Sequence, residues 1–451
     1  MNDGATVSAA LAAFVTDTRW EDVPERVRRE ARRSLVNFFA TALAGCRDPA
    51  LEAAHAVFAR FRAPGACTVI GRPEGTDALH AASLNAMSGN VFDYDDTHMP
   101  TIIHPTAPVA PALFALAQTQ PLSGRELLLA FVLGVEVECR LGNAISPGHY
   151  SRGWHITSTC GVFGSAAACA RGLGLDGTRT LWALGAASAQ SSGLVETLGS
   201  MAKSMGVGNA ASNGLLSALL AAQGFAGPAL PLEGPRGFLR VTGEQPDLAS
   251  VTEGLGTRWE LLNNTYKPYP CGVVLNPVIE ACLALHPQAA AEAAAIERIE
   301  LGGRALLRER TDRPRPRSGR EAQVSAQHAV AVSLLTGRAG LDEFSDACVA
   351  DARWHALGGK VVFVDDDRPG VESATVTLRL AGGRTLAHHV EAARGSLAVP
   401  LSDDELALKL QRLAAWGGSG CAPAPLLDAL WSLDERDDAG SLMPLAAGRA
   451  A

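Results

Sequence analysis

The sequence contains no two cysteines close enough to form a CxxC pair. Its nine cysteines are spread over positions 46, 67, 139, 160, 169, 271, 282, 348 and 421. An odd number of widely spaced cysteines is typical neither of a disulfide framework nor of a cysteine zinc site, and an iron–sulfur cluster is disfavoured for the same reason. We therefore expect free thiols, as in a reduced cytoplasmic protein.

Long apolar runs and a strong charge bias are also missing. Apolar stretches such as Leu127–Val137 are too short or too interrupted to span a bilayer, and the first residues, MNDGATVSAALAAF, do not resemble a signal peptide. The net charge is −8, and only 19% of residues are charged. Such a surface gives no electrostatic reason to bind nucleic acid or an anionic membrane.

One local exception is the arginine-rich run Arg308–Arg320 (RERTDRPRPRSGR). Its proline and glycine content is typical of a solvated loop, and an anion-binding role is the alternative. A nucleic-acid or scaffold module built on this run would show salt-sensitive binding.

The length and the hydrophobic periodicity predict two domains, because 451 residues exceed one ordinary core. Residues 1–262 show helical periodicity and capping residues but no strand-like alternation, which predicts an all-α domain. Small residues at helical spacing, such as Gly161, Gly164 and Ala168, would let helices pack closely. The helices predicted in this domain are Ala5–Thr16, Pro24–Ala44, Asp77–Gly89, Ala107–Gln118, Ser123–Gly142, Ser158–Gly172, Asp176–Ala189 and Val207–Ala222.

A change of pattern after Asn264 predicts a smaller α+β domain over residues 263–403. Ala381-Gly382-Gly383 is a hairpin signal between two strand-like segments. The strands predicted are Ile296–Leu301, Lys360–Val364, Ala374–Leu380 and Arg384–Val390, and the helices are Pro277–His286 and Ser325–Leu335. Two further helices, Asp403–Ala415 and Ala424–Leu433, lead us to expect that residues 404–451 complete the first domain.

Polar residues are concentrated in Asn90–Pro105 (NVFDYDDTHMPTIIHP), between two predicted helices. Titratable groups converge where proton transfer, metal binding or charged-ligand binding requires them. His104 precedes a helix N-terminus, which favours a bound anion, with a capping or core role as the alternative. A metal site is disfavoured, because a hard-ion loop such as the EF-hand would need glycine and a closing glutamate. The residues that such a metal site would use are Asp93, Asp95, His98 and His104.

Two further polar clusters lie at the edges of predicted helices. In Gly153–Thr159 (GWHITST), His155 precedes a helix, and a structural role for this histidine is the alternative. In Gly199–Lys203 (GSMAK), the neighbours of Lys203 are small and apolar. Partial burial there would lower the pKa of the lysine or require an anionic partner.

The last cluster, Tyr266–Gly272 (YKPYPCG), lies at the junction of the two predicted domains. Its two prolines fix the backbone beside Lys267, as a hinge or a cleft edge requires. Cys271 is disfavoured as a nucleophile because no basic partner can be assigned to it. Together the four clusters supply two lysines, two histidines and a carboxylate, which suit an anionic substrate and proton abstraction next to a carboxylate.

These clusters, in this order and at these separations, resemble the MmgE/PrpD family. The family includes 2-methylcitrate dehydratase, cis-aconitate decarboxylase and iminodisuccinate epimerase. The likeness runs through DYDDTH…HP at 93–105, GWHITSTCGVFGSAAA at 153–168, SAQSSGL at 188–194, GSMAKSMGVGNAA at 199–211, GFAGP at 224–228, EGPRGF at 233–238, KPYPCG at 267–272, EAQVSAQHAVA at 321–331 and ARGS…PLSDDEL at 393–405.

The resemblance implies a large helical domain assembled from both ends of the chain, a smaller α+β lid, and an active site between them. It also implies a homodimer that needs neither a metal nor an organic cofactor. Carried over by motif, the catalytic residues are Asp93, His104, His155 and Lys203. The substrate-binding residues are Thr97, Ser200, Met201, Tyr266, Lys267 and His328.

Two positions depart from the family pattern. Asn276 stands where many relatives have histidine, and His328 stands where several members have tyrosine. Both belong to the proposed lid side, where we expect substrates to be distinguished.

These inferences predict a cofactor-independent lyase that removes a proton alpha to a carboxylate of a small di- or tricarboxylate. Lys203 and Lys267 would stabilise the developing enolate-like charge, and His104 or His155 would be the general base or acid, with Asp93 orienting it. A hydro-lyase similar to 2-methylcitrate dehydratase is the first expectation. An epimerase or a decarboxylase on the same site is the alternative, and a non-catalytic carboxylate-binding protein is an alternative of another class.

Overall fold

The computed structural model describes residues 6–61, 65, 67–367 and 370–449. The helices are α1 (Val7–Asp17), α2 (Glu25–Gly45), α3 (Pro49–Phe58), α4 (Ala78–Asn90), α5 (Thr106–Ala117), α6 (Gly124–Ile145), α7 (Gly148–Ser151), α8 (Ile156–Gly172), α9 (Gly177–Ser188), α10 (Ala202–Ala222), α11 (Phe238–Thr242), α12 (Leu248–Thr252), α13 (Asn276–Ala291), α14 (Ala305–Thr311), α15 (Gly319–Ala322), α16 (Ala326–Thr336), α17 (Asp346–Val349), α18 (Arg353–Gly358), α19 (Asp403–Trp416) and α20 (Pro423–Trp431). The strands are β1 (Cys67–Thr68), β2 (Gly75–Thr76), β3 (Asp96–His98), β4 (Asn264–Tyr266), β5 (Ile296–Gly303), β6 (Val361–Asp365), β7 (Ala374–Leu380) and β8 (Thr385–Val390).

The predicted helices and strands are confirmed, with shifts of a few residues at their ends. The largest shifts are at the start of α10, which begins at Ala202 rather than at the predicted Val207, and at the end of α13, which ends at Ala291 rather than at the predicted His286. Ala5, the predicted first residue of α1, lies outside the described residues. Helix α3 was not predicted, although Asp48 caps it and Pro49 occupies its first turn, a common helix start.

The chain forms two compact units. The first comprises Met1–Val91, Asp95–Asn264 and Ser402–Ala451, and the second comprises Phe92–Tyr94 and Thr265–Leu401. The first unit is predominantly helical and the second contains both helices and a sheet, so the two-domain organisation agrees with the prediction.

Helices of the first unit pack through small residues. Gly134 on α6 faces Gly164 on α8, since a Cβ at Gly134 would lie 2.6 Å from the Gly164 carbonyl oxygen. Phe39 adds an edge-on contact with Phe114 at a centroid separation of 5.2 Å. The helices therefore approach closely at the glycines, and larger side chains fill the rest of the core.

The first unit is not helical throughout. Strands β1 and β2 form an antiparallel pair in which Cys67 lies opposite Thr76 and Thr68 opposite Gly75. Two residues per strand are too few to show an alternating pattern in a sequence, so the expectation of an all-α domain missed this pair.

The second unit contains a four-stranded sheet with the order β6-β5-β7-β8. The predicted hairpin is confirmed, because β7 and β8 pair antiparallel from Ala374↔Val390 to Arg379↔Thr385. Strand β5 also pairs in parallel with β6, from Ile299↔Val361 to Gly303↔Asp365, which the sequence did not predict. Helices α13 and α16 bury their apolar side chains in the same core as β5 and β7.

Residues after Ser402 pack on the first unit, where α19 lies against α2. The Arg33 guanidinium forms an ion pair with Asp403 at the start of α19. Farther along, Lys409 Nζ donates to Asn37 Oδ1 at 2.8 Å, and Lys409 is only 7% exposed. The last part of the chain therefore supplies side chains to the core begun by α2.

None of the helices in the described ranges is both long enough and apolar enough to cross a membrane. Helix α6 has 22 residues but carries buried Glu136, Glu138 and Arg140. All nine cysteines are free thiols, and seven of them are buried.

Candidate active site

His104 lies just before α5, at the end of a loop that begins at His98. The His98 backbone N–H donates to the Ile103 carbonyl at 2.8 Å and so closes the loop. The His104 ring nitrogen Nδ1 lies 2.6 Å from the Asp96 carbonyl oxygen. Because a carbonyl oxygen only accepts, Nδ1 must carry a hydrogen, and in neutral imidazole the lone pair is then on Nε2. His104 is held in a tautomer suited to proton exchange at Nε2.

Two side chains also approach His104 Nδ1. Asp95 Oδ1 lies 3.5 Å away and Thr97 Oγ1 lies 3.4 Å away, both farther than the Asp96 carbonyl oxygen. Thr97, which was predicted to bind substrate, is completely buried, and its hydroxyl faces the imidazole of His104.

The Asp96 side chain anchors the start of α5. It is completely buried, and its Oδ2 accepts from the Thr106 hydroxyl and, at 2.7 Å, from Asn264 Nδ2. Burial raises the pKa of Asp96 to about 7, against the effect of these hydrogen bonds. The side-chain contacts of Asp96 are therefore structural.

His155 is the N-cap residue of α8. Its ring Nδ1 lies 2.7 Å from Ser158 Oγ, and its backbone N–H donates to the Gly193 carbonyl at 3.1 Å. Gly193 has a φ of +131°, and a Cβ there would lie 2.6 Å from Ser158 Cβ. Only glycine fits this close approach, which keeps Ser158 beside the ring.

A threonine of α8 connects the two candidate histidines. Thr157 Oγ1 accepts the backbone N–H of His104 at 3.1 Å. Since Thr157 is two residues after His155, the structure brings both histidines onto adjoining segments of the first unit. Their participation in one catalytic site stays a prediction.

Lys203 lies in the first turn of α10, whereas the predicted helix began only at Val207, and it is half-buried. Gly206, one turn later, packs against α8, because a Cβ there would lie 2.7 Å from Ser158 Oγ. The turn that carries Lys203 therefore adjoins the residue that contacts His155.

Ser200 and Met201, which the resemblance assigned to substrate binding, are exposed before α10. The Ser200 hydroxyl donates to the Thr197 carbonyl at 2.7 Å and accepts the Ala202 N–H at 3.2 Å. These are contacts of a turn that leads into a helix. Binding of substrate by the two residues stays a prediction.

In the second unit, Lys267 is paired with Asp93. Lys267 Nζ lies 3.0 Å from the Asp93 carbonyl oxygen and 3.3 Å from Asp93 Oδ1, and the lysine is 2% exposed. Asp93 has a φ of +51°, which directs its carbonyl to the lysine side of the turn. Tyr266, beside Lys267, is also buried. A buried lysine needs such a partner, so Asp93 has a charge-pairing contact that the sequence did not predict.

His328 is buried in the core of the second unit. Its Nε2 lies 2.7 Å from the Glu343 carbonyl oxygen, and its ring packs edge-on against Phe344. Burial lowers the pKa of His328, so the ring is neutral near pH 7. These are the contacts of a packing residue. The other departing position, Asn276, is buried at the start of α13, with Oδ1 3.7 Å from Cys271 Sγ.

A nucleophilic role for Cys271, disfavoured from the sequence, also lacks structural support. Cys271 is fully buried and burial raises its pKa, so it stays a protonated thiol rather than a nucleophile. His98 cannot join the metal-ligand set considered above, because its two ring nitrogens contact Thr101 and Glu260.

Sequence reasoning passed over several buried titratable residues, among them Glu138, His149 and Glu260. Burial raises the pKa of Glu138 far above its usual value and lowers that of His149 to about 4, so both side chains are neutral at pH 7. The one available signal was charge within an apolar helix, as in the α6 segment GVEVECRLG. Their tertiary partners are distant in sequence and carry no local pattern.

The arginine run at 308–320 is only partly a loop. Arg308 is in α14 and forms a bidentate ion pair with Asp365, with the shortest contact at 2.7 Å. Within the second unit, a cavity of about 490 Å³ is lined by Arg315, Pro316, Arg317, Val349, Ala350 and His355. Anion binding by this run stays an alternative prediction.

Comparison with known proteins identifies the family. The model of the MmgE/PrpD N-terminal domain matches residues 9–250, and that of the MmgE/PrpD C-terminal domain matches residues 269–422. The chain belongs to the MmgE/PrpD family. The resemblance noted in the sequence is thereby confirmed.

Similarity to individual members of the MmgE/PrpD family extends over the full chain. The cis-aconitate decarboxylase-like protein oryM of Aspergillus oryzae is 29% identical over 98% of this chain and 97% of its own length. The cis-aconitate decarboxylase of Aspergillus terreus is 27% identical over 98% of this chain and 96% of its own. That of Homo sapiens is 25% identical over 98% and 95%, respectively. This MmgE/PrpD protein is therefore similar to lyases of the carboxy-lyase type.

Proposed function

We propose that this protein is a carboxy-lyase that acts on a small unsaturated tricarboxylate such as cis-aconitate. The observation that carries the proposal is full-length similarity to cis-aconitate decarboxylases from fungi and mammals. The decarboxylase, an alternative in the sequence-based prediction, is thus preferred to the hydro-lyase that was expected first. A homodimer, the absence of a cofactor and a cytoplasmic location stay predictions.

The reaction requires one proton for each CO2 released. In cis-aconitate the carboxylate on the CH2 group is allylic to the double bond. When its C–C bond breaks, the electron pair forms a new double bond, and the former double bond takes a proton at its distal carbon. The product is a methylene dicarboxylate. An enzyme for this reaction needs a general acid and cationic groups that bind carboxylates.

His104 is suited to be the general acid. Its Nδ1–H is engaged by the Asp96 carbonyl, so proton exchange takes place at Nε2. We assign carboxylate binding to Lys203 and Lys267, and a second proton-handling role to His155. For a lysine in such a site, charge attraction to the carboxylate favours productive orientation.

The expected product can be tested directly. Incubation with cis-aconitate in D2O should give CO2 and a methylene dicarboxylate with one deuterium in its saturated CH2 group, observed by NMR. In weakly buffered H2O from which the released CO2 is purged before it hydrates to bicarbonate, one proton should be consumed per turnover. The same assay with 2-methylcitrate and iminodisuccinate distinguishes the alternatives.

Alkene formation from 2-methylcitrate without CO2 would identify a hydro-lyase. Deuterium exchange into iminodisuccinate without loss of carbon would identify an epimerase. Carboxylate binding without turnover of any compound would identify a binding protein. Each of these outcomes contradicts the carboxy-lyase proposal.

A further inference from the structure

His98 and His104 are the two histidines of the segment Asn90–Pro105. Their rings carry the hydrogen on different nitrogen atoms. The His98 ring is completely buried, with Nε2 3.2 Å from Glu260 Oε2 and Nδ1 2.8 Å from Thr101 Oγ1. Burial alone would raise the pKa of Glu260, but the contact with His98 outweighs this effect and lowers the pKa to about 2. The carboxylate is therefore ionised and accepts, so Nε2 of His98 carries the hydrogen.

Further contacts extend the hydrogen bond between His98 and Glu260 into a chain in which each group donates to the next. The Ile103 N–H lies 3.2 Å from Thr101 Oγ1 and can only donate to it. The Thr101 hydroxyl is then directed to the lone pair on His98 Nδ1, and His98 donates onward to Glu260. Every donor has an acceptor when His98 is neutral and protonated at Nε2. His104, six residues later, is protonated at Nδ1.

This chain spans a turn with a strained backbone. Ile102 has a φ of +64°, an outlier for a β-branched residue. The His98 carbonyl accepts from the N–H groups of Thr101 at 3.2 Å and Ile102 at 2.8 Å. A strained turn persists only when the surrounding contacts hold it in place. Here the hydrogen bonds of Thr101, Ile102 and Ile103 connect the turn to His98.

Glu260 is itself held in place by hydrogen bonds to both of its carboxylate oxygens. Asn263 Nδ2 donates to its Oε2 at 3.1 Å, and Arg258 Nε donates to its Oε1 at 3.2 Å. The neighbouring Leu261 N–H donates to Glu136 Oε1 of α6 at 3.1 Å. The loop that begins at His98 is therefore tied through Glu260 to the interior of the first unit.

We propose that His98 is a positioning residue that, through Thr101 and Glu260, holds residues 98–103 in the strained turn that presents His104 for proton transfer. His98 acts through the loop and contacts no reacting atom. The functional part of this inference rests on the proposed function. The hydrogen-bond chain is independent of it and can be tested separately.

Replacing Thr101 by valine tests the chain with little change of shape. Thr101→Val removes the acceptor of the Ile103 N–H and the donor to His98, whereas Thr101→Ser keeps the hydroxyl. We expect kcat to fall roughly 10–100-fold in Thr101→Val through displacement of His104, with KM changed by less than about threefold. Thr101→Ser should restore kcat to near the wild-type value. Wild-type kcat in Thr101→Val, or equal losses in both variants, would overturn the proposal.

A spectroscopic test does not depend on turnover. In protein labelled with 15N-histidine, ring nitrogen shifts distinguish the two tautomers, and His98→Gln and His104→Gln each remove one set of signals for assignment. We expect the Nε2–H tautomer for His98, the Nδ1–H tautomer for His104, and changes in both in Thr101→Val but not in Thr101→Ser. An Nδ1–H tautomer of His98, or His104 signals insensitive to Thr101→Val, would overturn the inference. Should the wild type turn over no carboxylate, the proposed function fails while these spectra still decide the arrangement of His98.

Discussion

Substitution of His104 by glutamine should lower kcat for cis-aconitate decarboxylation by about 10²–10⁴-fold, the usual contribution of a proton-transfer group. Glutamine is similar in length and its amide can donate to the Asp96 carbonyl, which now accepts His104 Nδ1–H at 2.6 Å. It cannot be protonated and deprotonated near neutral pH. We therefore expect the loss in kcat rather than in KM, measured from initial rates of product formation.

His388→Gln is the matched control, because it makes the same chemical change at an exposed residue of β8. It should keep wild-type kcat, and thermal unfolding of both variants should resemble that of the wild type. If folded His104→Gln turned over cis-aconitate at the wild-type rate, His104 would not be the proton donor. In that event His155, the other buried histidine of the first unit's candidate site, would become the residue to test.

Substitution of Arg140 by methionine should destabilise the protein by about 3–5 kcal/mol, the cost of breaking a buried ion pair. Arg140 is completely buried, and its Nε donates to Glu136 Oε2 at 3.1 Å. Its other nitrogens donate to the carbonyl oxygens of Val251, Glu253, Gly254 and Arg258 at 3.3, 2.8, 3.4 and 2.6 Å. Methionine would leave these carbonyls without their donors, and it would leave Glu136, whose pKa burial raises to about 7, without its cation.

Urea unfolding, followed by circular dichroism, measures this loss as a lower transition midpoint. Arg125→Met provides the control in the same helix, since Arg125 is exposed, and it should change the free energy of unfolding by less than about 0.5 kcal/mol. The double variant Glu136→Met/Arg140→Met should recover part of the loss because no buried carboxyl group remains without its cation. Equal midpoints for Arg140→Met and Arg125→Met would show that the buried pair adds no net stability.

The helices of the first domain were predictable because their signals are local. Helix α6, for example, starts with a capping box in which Ser123 and Glu126 bond each other's backbone N–H groups. The parallel pairing of β5 with β6 was not predictable in this way. Ile299 pairs with Val361 across more than 60 residues, and neither strand specifies its partner through its own alternation.

The candidate site likewise has features that local sequence signals predict and features that depend on residues distant in sequence. The positions of His104 and His155 before helices could be read from the sequence, and their motifs led to the family. The hydrogen-bond directions could not, since Glu260, which sets the tautomer of His98, lies 162 residues away. Likewise, the sequence marked Lys267 as a cation for substrate, but only the folded chain shows its pairing with Asp93.

The packing of α19 on α2 has a consequence for synthesis of the protein on the ribosome. Residues 265–401 separate the two parts of the first unit, and at about 5–20 residues per second their translation takes roughly 7–30 s. During that interval Asn37, which binds Lys409 in the finished core, lacks this partner. The second unit is contiguous apart from residues 92–94, so its chain is complete first. The N-terminal unit, although it emerges first, is thus the last to be able to finish folding.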